Sequence, residues 1–286
     1  MKKTPLQNDL FITIKPLSEK ISRYVSYYYF HQSDDHNYQK NFIFYPNYKH
    51  ALTVYKDAEV MISDNKSVIK PATVTSVQQF YSINKDKSIK VSIKGKFNKI
   101  GIVFNPLGIN YFIQKPLCEV ATSDIIRFQY FGEKFDTVLN LVFSENSTEK
   151  KAALLDAFFE ESLFSFDETV LKKAIGEIII SNGGTKVSEL SEKLKINRKT
   201  LLRLFQKHTA MSVEEYRKMV MFRQAFNYFQ QHKENTRLTD VALFSLYYDQ
   251  AHFIKHFKSI TKETPNTLLS KISHLGQEDT YWYFED

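Results

Sequence analysis

The sequence has a single cysteine, Cys118, among its 286 residues. One thiol cannot form an intramolecular disulfide or a cysteine-based zinc site, and such scarcity fits the reducing cytoplasm. The N-terminal stretch MKKTPLQNDLFITIKP has lysines but lacks the apolar segment of a signal peptide. No run approaches the roughly 18 apolar residues of a membrane span. We therefore expect a cytoplasmic protein that does not bind a membrane.

The residues of a catalytic or metal centre are also scarce. The first half contains only three histidines, His31, His36 and His50, and no His-x-His spacing. A metal site of the cupin type needs about three histidines and a carboxylate that converge on one ion. Cys118, in KPLCEVAT, lacks the basic setting of an activated thiolate. No Ser-His-Asp order, phosphate loop or carboxylate pair stands out, so we predict no metal, no cofactor and no enzymatic activity.

Hydrophobic residues make up 43% of the chain and charged residues 25%, which is enough for a packed core. The length suggests about two domains, and the pattern changes near residue 165. The first half contains short runs of alternating, aromatic and β-branched residues, which predict a small sandwich or barrel. These runs are RYVSYYYF (23–30), HALTVY (50–55), SVIKPATVTSVQQFYSI (67–83), SIKVSIKG (88–95) and FNKIGIVF (97–104).

A change of rhythm at NPLGINYFIQ (105–114) predicts a helix, and the pattern is helical from about residue 122 onwards. The helix within VLKKAIGEIIISNGG should end at Asn182-Gly183-Gly184, because glycine tolerates the left-handed conformation of a C-terminal cap. We place domains at 1–165 and 166–286. The predicted fold class is α+β, with a small β-barrel or sandwich and following helices, then an all-α domain.

The second domain contains an internal repeat. Residues 187–212, VSELSEKLKINRKTLLRLFQKHTAMS, align with residues 238–264, LTDVALFSLYYDQAHFIKHFKSITKET. Each unit predicts a short helix, a tight turn with Asn197 or Asp249 as N-cap, and a second helix. In the second helices, the inward stripes follow the spacing of an amphipathic helix. They consist of Leu201, Leu204, Phe205 and His208 in one unit, and of Phe253, Phe257 and Ile260 in the other.

The outward faces of these two helices are basic. There is no acidic residue from Asn197 to His208, nor from Gln250 to Lys262. The net charge of +7 is compatible with a nucleic-acid partner but does not establish one. A basic run on one helix is usually a solvated face, whereas two matching runs in matching units favour double-stranded DNA as the partner.

The repeat and its flanks, from Val170 to Ile272, resemble the double helix-turn-helix domain of the AraC/XylS family of bacterial transcription regulators. The resemblance implies about seven helices, with a central helix over Ser212–Gln231 that sets two recognition helices into successive major grooves. Ala210 and Leu246 stand where the family usually has glycine, and Met221 replaces a common arginine. A left-handed turn at a non-glycine residue would cost about 1 kcal/mol or more.

The resemblance also implies which side chains meet DNA. Arginine can donate two hydrogen bonds to guanine, glutamine can pair with adenine, and apolar side chains can contact thymine methyl groups. Partial core packing is the alternative for Leu202. The candidate base-reading residues are Lys199, Leu202, Arg203, Gln250, Ala251, Ile254 and Lys255. The candidate phosphate contacts, which add affinity without sequence choice, are Arg198, Lys207, His252 and Lys258.

Three stretches of the first half are KPLSEKISRYVSYYYF (15–30), FYPNYKHALTVYKD (44–57) and IGIVFNPLGINYFI (100–113). They resemble the cupin-like β-barrel or sandwich that precedes this DNA-binding domain in many regulators. The resemblance implies a small-molecule effector, a homodimer or both. RNA polymerase is a further expected partner of a transcription activator. Two alternatives remain: a cupin-type metal-binding enzyme with an accessory helical domain, and a non-specific DNA-binding protein. Core packing is the default reading of the aromatic ligand candidates, which are Tyr27, Tyr29, Phe44, Tyr45 and Phe104.

Overall fold

The computed structural model describes residues 4–6, 9–64, 66–83, 85, 87–232, 240–241, 244, 249–271, 273–274 and 281–285. An N-terminal part of two β-sheets and two packed helices precedes a helical C-terminal part. The predicted α+β class is confirmed. The strands are β1 (Thr4–Leu6), β2 (Asp9–Ile14), β3 (Val25–Ser33), β4 (Gln39–Phe44), β5 (Ala51–Lys56), β6 (Ala58–Ser63), β7 (Lys66–Pro71), β8 (Val77–Ser82), β9 (Ile89–Lys94), β10 (Phe97–Phe104), β11 (Ile125–Arg127), β12 (Ser273–His274) and β13 (Tyr281–Glu285).

The strands form two sheets. One has the order β1-β2-β3-β10-β5-β8-β11, and the other has the order β12-β13-β4-β9-β7-β6. The pairs are antiparallel except β7 with β9, which are parallel. The run 67–83 is divided between β7 and β8, since residues 72–76 have no strand pairing. Residue pattern alone does not separate the two strands, because both contain β-branched or aromatic residues.

The helices are α1 (Glu19–Ser22), α2 (Leu117–Val120), α3 (Gly132–Ser144), α4 (Thr148–Glu161), α5 (Thr169–Ile180), α6 (Val187–Lys193), α7 (Arg198–Thr209), α8 (Val213–Gln231), α9 (Gln250–Thr261) and α10 (Pro265–Lys271). The helix expected over 105–114 is wrong: only the 3-10 turn Gly108–Tyr111 forms there. Leu107 adopts a left-handed φ of 63°, which is incompatible with a continuous helix. The helical region also begins later than expected, because β11 precedes α3.

The aromatic run of β3 is buried on both faces of its sheet. Tyr28 and Phe30 pack in a core with α3 and α4, whereas Tyr27 and Tyr29 pack in a second core between the sheets. This alternation follows from the two-residue period of a strand. Asp156 of α4 ties the layers together, since it accepts hydrogen bonds from the Tyr28 hydroxyl at 2.7 Å and from two backbone N–H groups, those of Leu17 and Ser18.

The C-terminal tail, assigned by sequence to the second domain, adds strands to the N-terminal part. β13 pairs with β4 in an antiparallel register that places Trp282 opposite Phe44 and Phe284 opposite Phe42. β12 pairs in turn with β13. The backbone of the chain therefore returns from the helical part to the first half.

Candidate nucleic-acid interface

Helices α6 and α7 form the first helix-turn-helix unit. Leu190 of α6 and Leu201 and Phe205 of α7 are fully buried in its core. The turn between the helices contains Lys195 at a left-handed φ of 52°. Asn197 is the N-cap of α7, and its Oδ1 accepts the backbone N–H of Lys199 at 2.7 Å. This cap satisfies one of the free amides in the first turn and fixes where the recognition helix begins.

The opposite face of α7 lies on the surface. Leu202 is 37% exposed, so it is not fully packed into the core. The inward placement of His208 is confirmed, since it is buried beside Phe166 and its Nε2 lies 3.1 Å from Glu168 Oε1. Burial lowers the pKa of His208, against the opposing effect of Glu168. The other exposed candidates on this face are Arg198, Lys199, Arg203 and Lys207.

Helix α9 is the recognition helix of the second unit. Its N-cap is Asp249, whose Oδ1 accepts the backbone N–H of His252 at 2.7 Å. Phe253 and Phe257 are fully buried, and Ile260 is 4% exposed, as the amphipathic pattern predicted. Ile254 is half-buried. The exposed candidates are Gln250, Ala251, His252, Lys255 and Lys258.

The helix expected before α9 in the second unit falls largely outside the described residues. Val241 belongs to its described part and is fully buried in the core of the second unit. Leu246, where the family usually has glycine, is outside the described residues.

The long helix α8 joins the two units, within one residue of its expected start. Ser212 and Glu215 form a reciprocal cap: Ser212 N–H donates to Glu215 Oε2 at 2.6 Å, and Glu215 N–H donates to Ser212 Oγ at 3.2 Å. Near its start α8 contributes Tyr216 to the core of the first unit, and further on it contributes Phe222 and Phe226 to that of the second. One continuous helix therefore carries both cores.

Two departures from the family pattern have visible consequences. Ala210 ends α7 in the left-handed conformation, with φ 55° and ψ 23°, so the strain expected at this non-glycine residue is present. Met221, in place of an arginine, is buried in the core of the second unit, and its sulfur lies 3.4 Å from Arg217 Nη1. α5 ends as expected, because Asn182 and Gly183 both have positive φ.

Sequence reasoning missed His256 of α9, whose side chain lies near charged residues in the first part of α8. Burial lowers its pKa to about 4, with smaller contributions from the charges of Lys218, His252 and Arg217 and against the effect of Glu214. The imidazole is therefore neutral near pH 7. It therefore adds no positive charge to α9 near pH 7.

The N-terminal part contacts both helix-turn-helix units. Asn110 Nδ2 donates to the backbone oxygen of His208 at 3.0 Å near the end of α7. The backbone N–H of Ser88 donates to the oxygen of Ile260 at 3.3 Å near the end of α9. The Tyr45 ring lies 5.4 Å from that of Phe226. The N-terminal part and both helix-turn-helix units are therefore in direct contact.

A cavity lies between the two sheets of the N-terminal part. Its empty volume is about 810 Å³, including open solvent at its mouth. Tyr27, Tyr29 and Phe44 line it, as do the ammonium-bearing side chains of Lys49 and Lys99. Lys49 Nζ donates to Ser26 Oγ at 3.0 Å. Sequence reasoning missed both lysines, because a single lysine in a connection, such as Lys49, or in a strand, such as Lys99, carries no recognisable motif.

The other two ligand candidates lie elsewhere. Tyr45 points to the opposite face of β4 from Phe44 and packs against the second helix-turn-helix unit. Phe104 belongs to the core shared with α4, where its ring lies 5.9 Å from that of Phe159. Neither is among the residues that line this cavity, and both pack in cores, which is the default expectation for such aromatic residues. Tyr45 faces away from the cavity because side chains alternate along a strand. Phe104 lies in a core because helices pack on its face of the sheet.

A buried polar cluster lies beside Lys99. Asp9 Oδ2 is 2.8 Å from His31 Nε2 and 2.5 Å from the Tyr38 hydroxyl, and Lys40 Nζ is 3.6 Å from Oδ1. Burial lowers the pKa of His31 to about 3, so the neutral imidazole donates to the carboxylate. Burial likewise lowers the pKa of Lys99 to about 7, partly opposed by Asp9.

Neither a metal-binding cluster nor a membrane-spanning helix is present in the part of the chain that the structure describes. It contains no group of three or more His, Cys, Asp or Glu side chains arranged to hold a metal ion. Within the same residues, no helix is both long and apolar enough to cross a bilayer.

Comparison with known proteins identifies the C-terminal part. A family model described as a helix-turn-helix domain matches residues 190–271. The resemblance to the AraC-type DNA-binding domain is confirmed for this region. No curated protein matches the chain.

The chain is similar to solved structures of ToxT from Vibrio cholerae. One, at 1.65 Å resolution, is 14% identical with a TM-score of 0.43, over 92% of this chain and 97% of that one. A second, bound to an unsaturated fatty acid, is 11% identical with a TM-score of 0.47, over 97% and 100%. A third, bound to (E)-4-(8-methylnaphthalen-1-yl)but-3-enoic acid, is 14% identical with a TM-score of 0.43, over 92% and 99%.

Proposed function

We propose that this chain, whose residues 190–271 form a helix-turn-helix domain, is a sequence-specific transcription regulator that acts by binding DNA and not by catalysis. The main support for this function is that the exposed faces of α7 and α9 contain basic residues and no acidic residue. Each lies on the second helix of its unit, which is the helix that enters the major groove in this motif. Helix α8 joins the two units, because it contributes side chains to both of their cores.

The exposed side chains support a division of roles. Arg203 suits guanine and Gln250 suits adenine, because each can form two hydrogen bonds to the major-groove edge of its base. Leu202 and Ala251 offer only apolar contact, which suits thymine methyl groups. We propose that Lys199, Lys255 and the half-buried Ile254 complete the base contacts. The phosphate contacts proposed are Arg198, Lys207, His252 and Lys258.

Selection from random duplex DNA with the full chain tests this function. We expect a bipartite motif with two boxes about one helical turn apart. Arg203→Ala should relax the base preference in one box, and Gln250→Ala should do so in the other. Lys96→Ala, which removes an exposed positive charge from the N-terminal part, is the matched control and should leave the motif intact. Binding with a steep salt dependence but without an enriched motif would indicate a non-specific DNA-binding protein instead.

We further propose that the cavity binds a small-molecule effector with an acidic group on an apolar body. Small-molecule sites are mostly apolar with a few polar groups that fix the ligand, and the lining of this cavity has that composition. Aromatic walls formed by Tyr27, Tyr29 and Phe44 suit the body. Lys49 and Lys99 suit the acid, because an anion beside a buried ammonium offsets the desolvation of its charge.

Calorimetric titration with decanoate, using decan-1-ol as the matched uncharged probe, tests the ligand class. We expect decanoate to bind and the alcohol to bind at least 10-fold more weakly. Lys99→Met should reduce decanoate affinity by a similar factor, whereas Lys96→Met on the surface should not. Equal binding of acid and alcohol would refute the role of the lysines.

A homodimer and a contact with RNA polymerase remain proposals. Leu141 of α3 is 53% exposed, which makes that helix face a candidate for self-association. Sedimentation analysis of the full chain and of Leu141→Lys tests the dimer. A dimer that persists unchanged in this variant would place the interface elsewhere.

A further inference from the structure

One short segment, residues 43–49, forms a wall between the cavity and the DNA-binding part. β4 ends at Phe44 and β5 begins at Ala51, so the segment covers the end of one strand and the connection to the next. Successive side chains of a strand point to opposite faces. Phe44 accordingly lines the cavity, whereas Ile43 and Tyr45 are 5% and 1% exposed within the core of the second helix-turn-helix unit.

Side chains of the connection after Tyr45 are also divided between the cavity and the helical part. Asn47 and Lys49 line the cavity, and Tyr48 packs against the core of the first helix-turn-helix unit. The backbone is constrained, because Pro46 restricts φ and Asn47 Oδ1 accepts the N–H of Lys49 at 3.1 Å. A few consecutive residues thus reach the cavity and both units of the DNA-binding domain.

The neighbouring strand β9 likewise contacts the cavity with one residue and the helical part with the residue before it. Ile89 of β9 lies opposite Phe44 in the ladder and also lines the cavity. The preceding residue, Ser88, donates its N–H to Ile260 near the end of α9. On the other edge of β4, the backbone of Trp282 pairs with that of Phe44. The end of β4 is therefore bonded on both sides to segments that contact or continue the helical part.

We infer that segment 43–49 transmits occupancy of the cavity to the relative position of the two helix-turn-helix units, with Tyr45 and Tyr48 as positioning residues. This inference rests on the proposed function, since it assigns the regulation of the same cavity and the same DNA-binding helices. Close-packed walls shift between discrete arrangements and do not yield gradually. A group that displaces Phe44 therefore moves Tyr45 against the second unit. Movement of the connection between β4 and β5 moves Tyr48 against the first helix-turn-helix unit.

The separation of the two recognition helices determines how well the chain binds DNA. Two recognition helices bind successive major grooves only when their separation matches the helical repeat. Tyr45 packs in the core of the second unit and Tyr48 against that of the first, so a displaced segment changes this separation without altering any base-reading side chain. Occupancy of the cavity therefore changes the affinity of the chain for the bipartite DNA site, while the base preference within each box stays the same.

A cavity-filling substitution in the full chain replaces the unidentified effector in the test. Val60→Phe enlarges a cavity-lining side chain of β6, and Met61→Phe enlarges its 44% exposed neighbour as the matched control. We expect Val60→Phe to change the Kd for the selected duplex at least five-fold and Met61→Phe less than two-fold. In a Tyr45→Ala/Tyr48→Ala background the effect of Val60→Phe should fall below two-fold. In a Tyr45→Phe/Tyr48→Phe background it should return.

Amide hydrogen exchange gives a second readout that needs no DNA. Val60→Phe, and Ser82→Met as an independent filling variant on β8, should change exchange rates in α8 and α9 at least three-fold, unlike Met61→Phe. An effect of Val60→Phe that persists without the two tyrosines overturns the inference, as does the absence of any response in a chain that binds DNA. An exchange response in a chain that enriches no DNA sequence would support the transmission and refute the proposed function.

Discussion

Replacement of Lys99 by methionine should change how the stability of the N-terminal part depends on pH. Lys99 lies on β10, is 2% exposed and lines the cavity beside the buried carboxylate of Asp9. The ionisable groups facing it also include His31 of β3 and Lys40 of β4. Methionine has a similar length and fills the same space without a charge.

The magnitude follows from the pKa of Lys99, which burial lowers from 10.5 to about 7. Between these values the unfolded chain holds a proton that the folded chain has lost, so stability rises with pH. Each pKa unit corresponds to 1.36 kcal/mol, so the rise amounts to about 5 kcal/mol over the whole window and about 3 kcal/mol between pH 7 and roughly 9.5. Below pH 7 both states hold the proton and this contribution is constant.

Urea unfolding of the wild type and of Lys99→Met, followed across this pH range by circular dichroism, measures the difference. The free energy of unfolding should rise more steeply with pH in the wild type, and Lys99→Met should be the more stable protein at pH 7. Lys96→Met, at an exposed position, should follow the wild type. Burial lowers the pKa of His31 to about 3, so its effect appears at acid pH and leaves the alkaline window clear. Parallel curves for the wild type and Lys99→Met would refute the reasoning.

Four further outcomes are expected. Arg203→Ala should lower the affinity for the selected site by about 1–3 kcal/mol, measured by fluorescence anisotropy against sites changed at single bases. Lys258→Ala should weaken binding to all sequences alike and reduce the slope of log K against log salt by about 1. Phe205→Ala, in the fully buried core of the first unit, should destabilise the domain by about 3–5 kcal/mol in thermal unfolding. Gly108→Ala should destabilise the first half, because an added Cβ would lie 2.0 Å from the Tyr24 oxygen; an unchanged melting temperature would contradict that close approach.

Local pattern was sufficient for the DNA-binding helices. The spacing of Leu201 and Phe205, the N-caps at Asn197 and Asp249, and the stop at Asn182-Gly183 each depend on neighbours in sequence, and the structure has them as expected. Exposure of the basic faces followed from the same helical period. Which of those side chains read bases stays a prediction.

The cavity and its lysines required tertiary structure. Lys99 and Asp9 are 90 positions apart in the sequence and meet only because β2, β3 and β10 are neighbours in one sheet. Strand alternation predicts that Phe44 and Tyr45 point to opposite faces, but it does not say which face meets the cavity and which meets another domain. That choice depends on what packs against the sheet from distant parts of the chain.

The amino-acid sequence by itself determined two basic helix-turn-helix units and an aromatic β-rich half, because periodicity and capping act over a few residues. Only the tertiary structure decided that β13 pairs with β4 and that Tyr45 and Tyr48 complete two different helical cores. These contacts join residues far apart in the chain, and their stability comes from burial against a partner surface that local sequence does not encode.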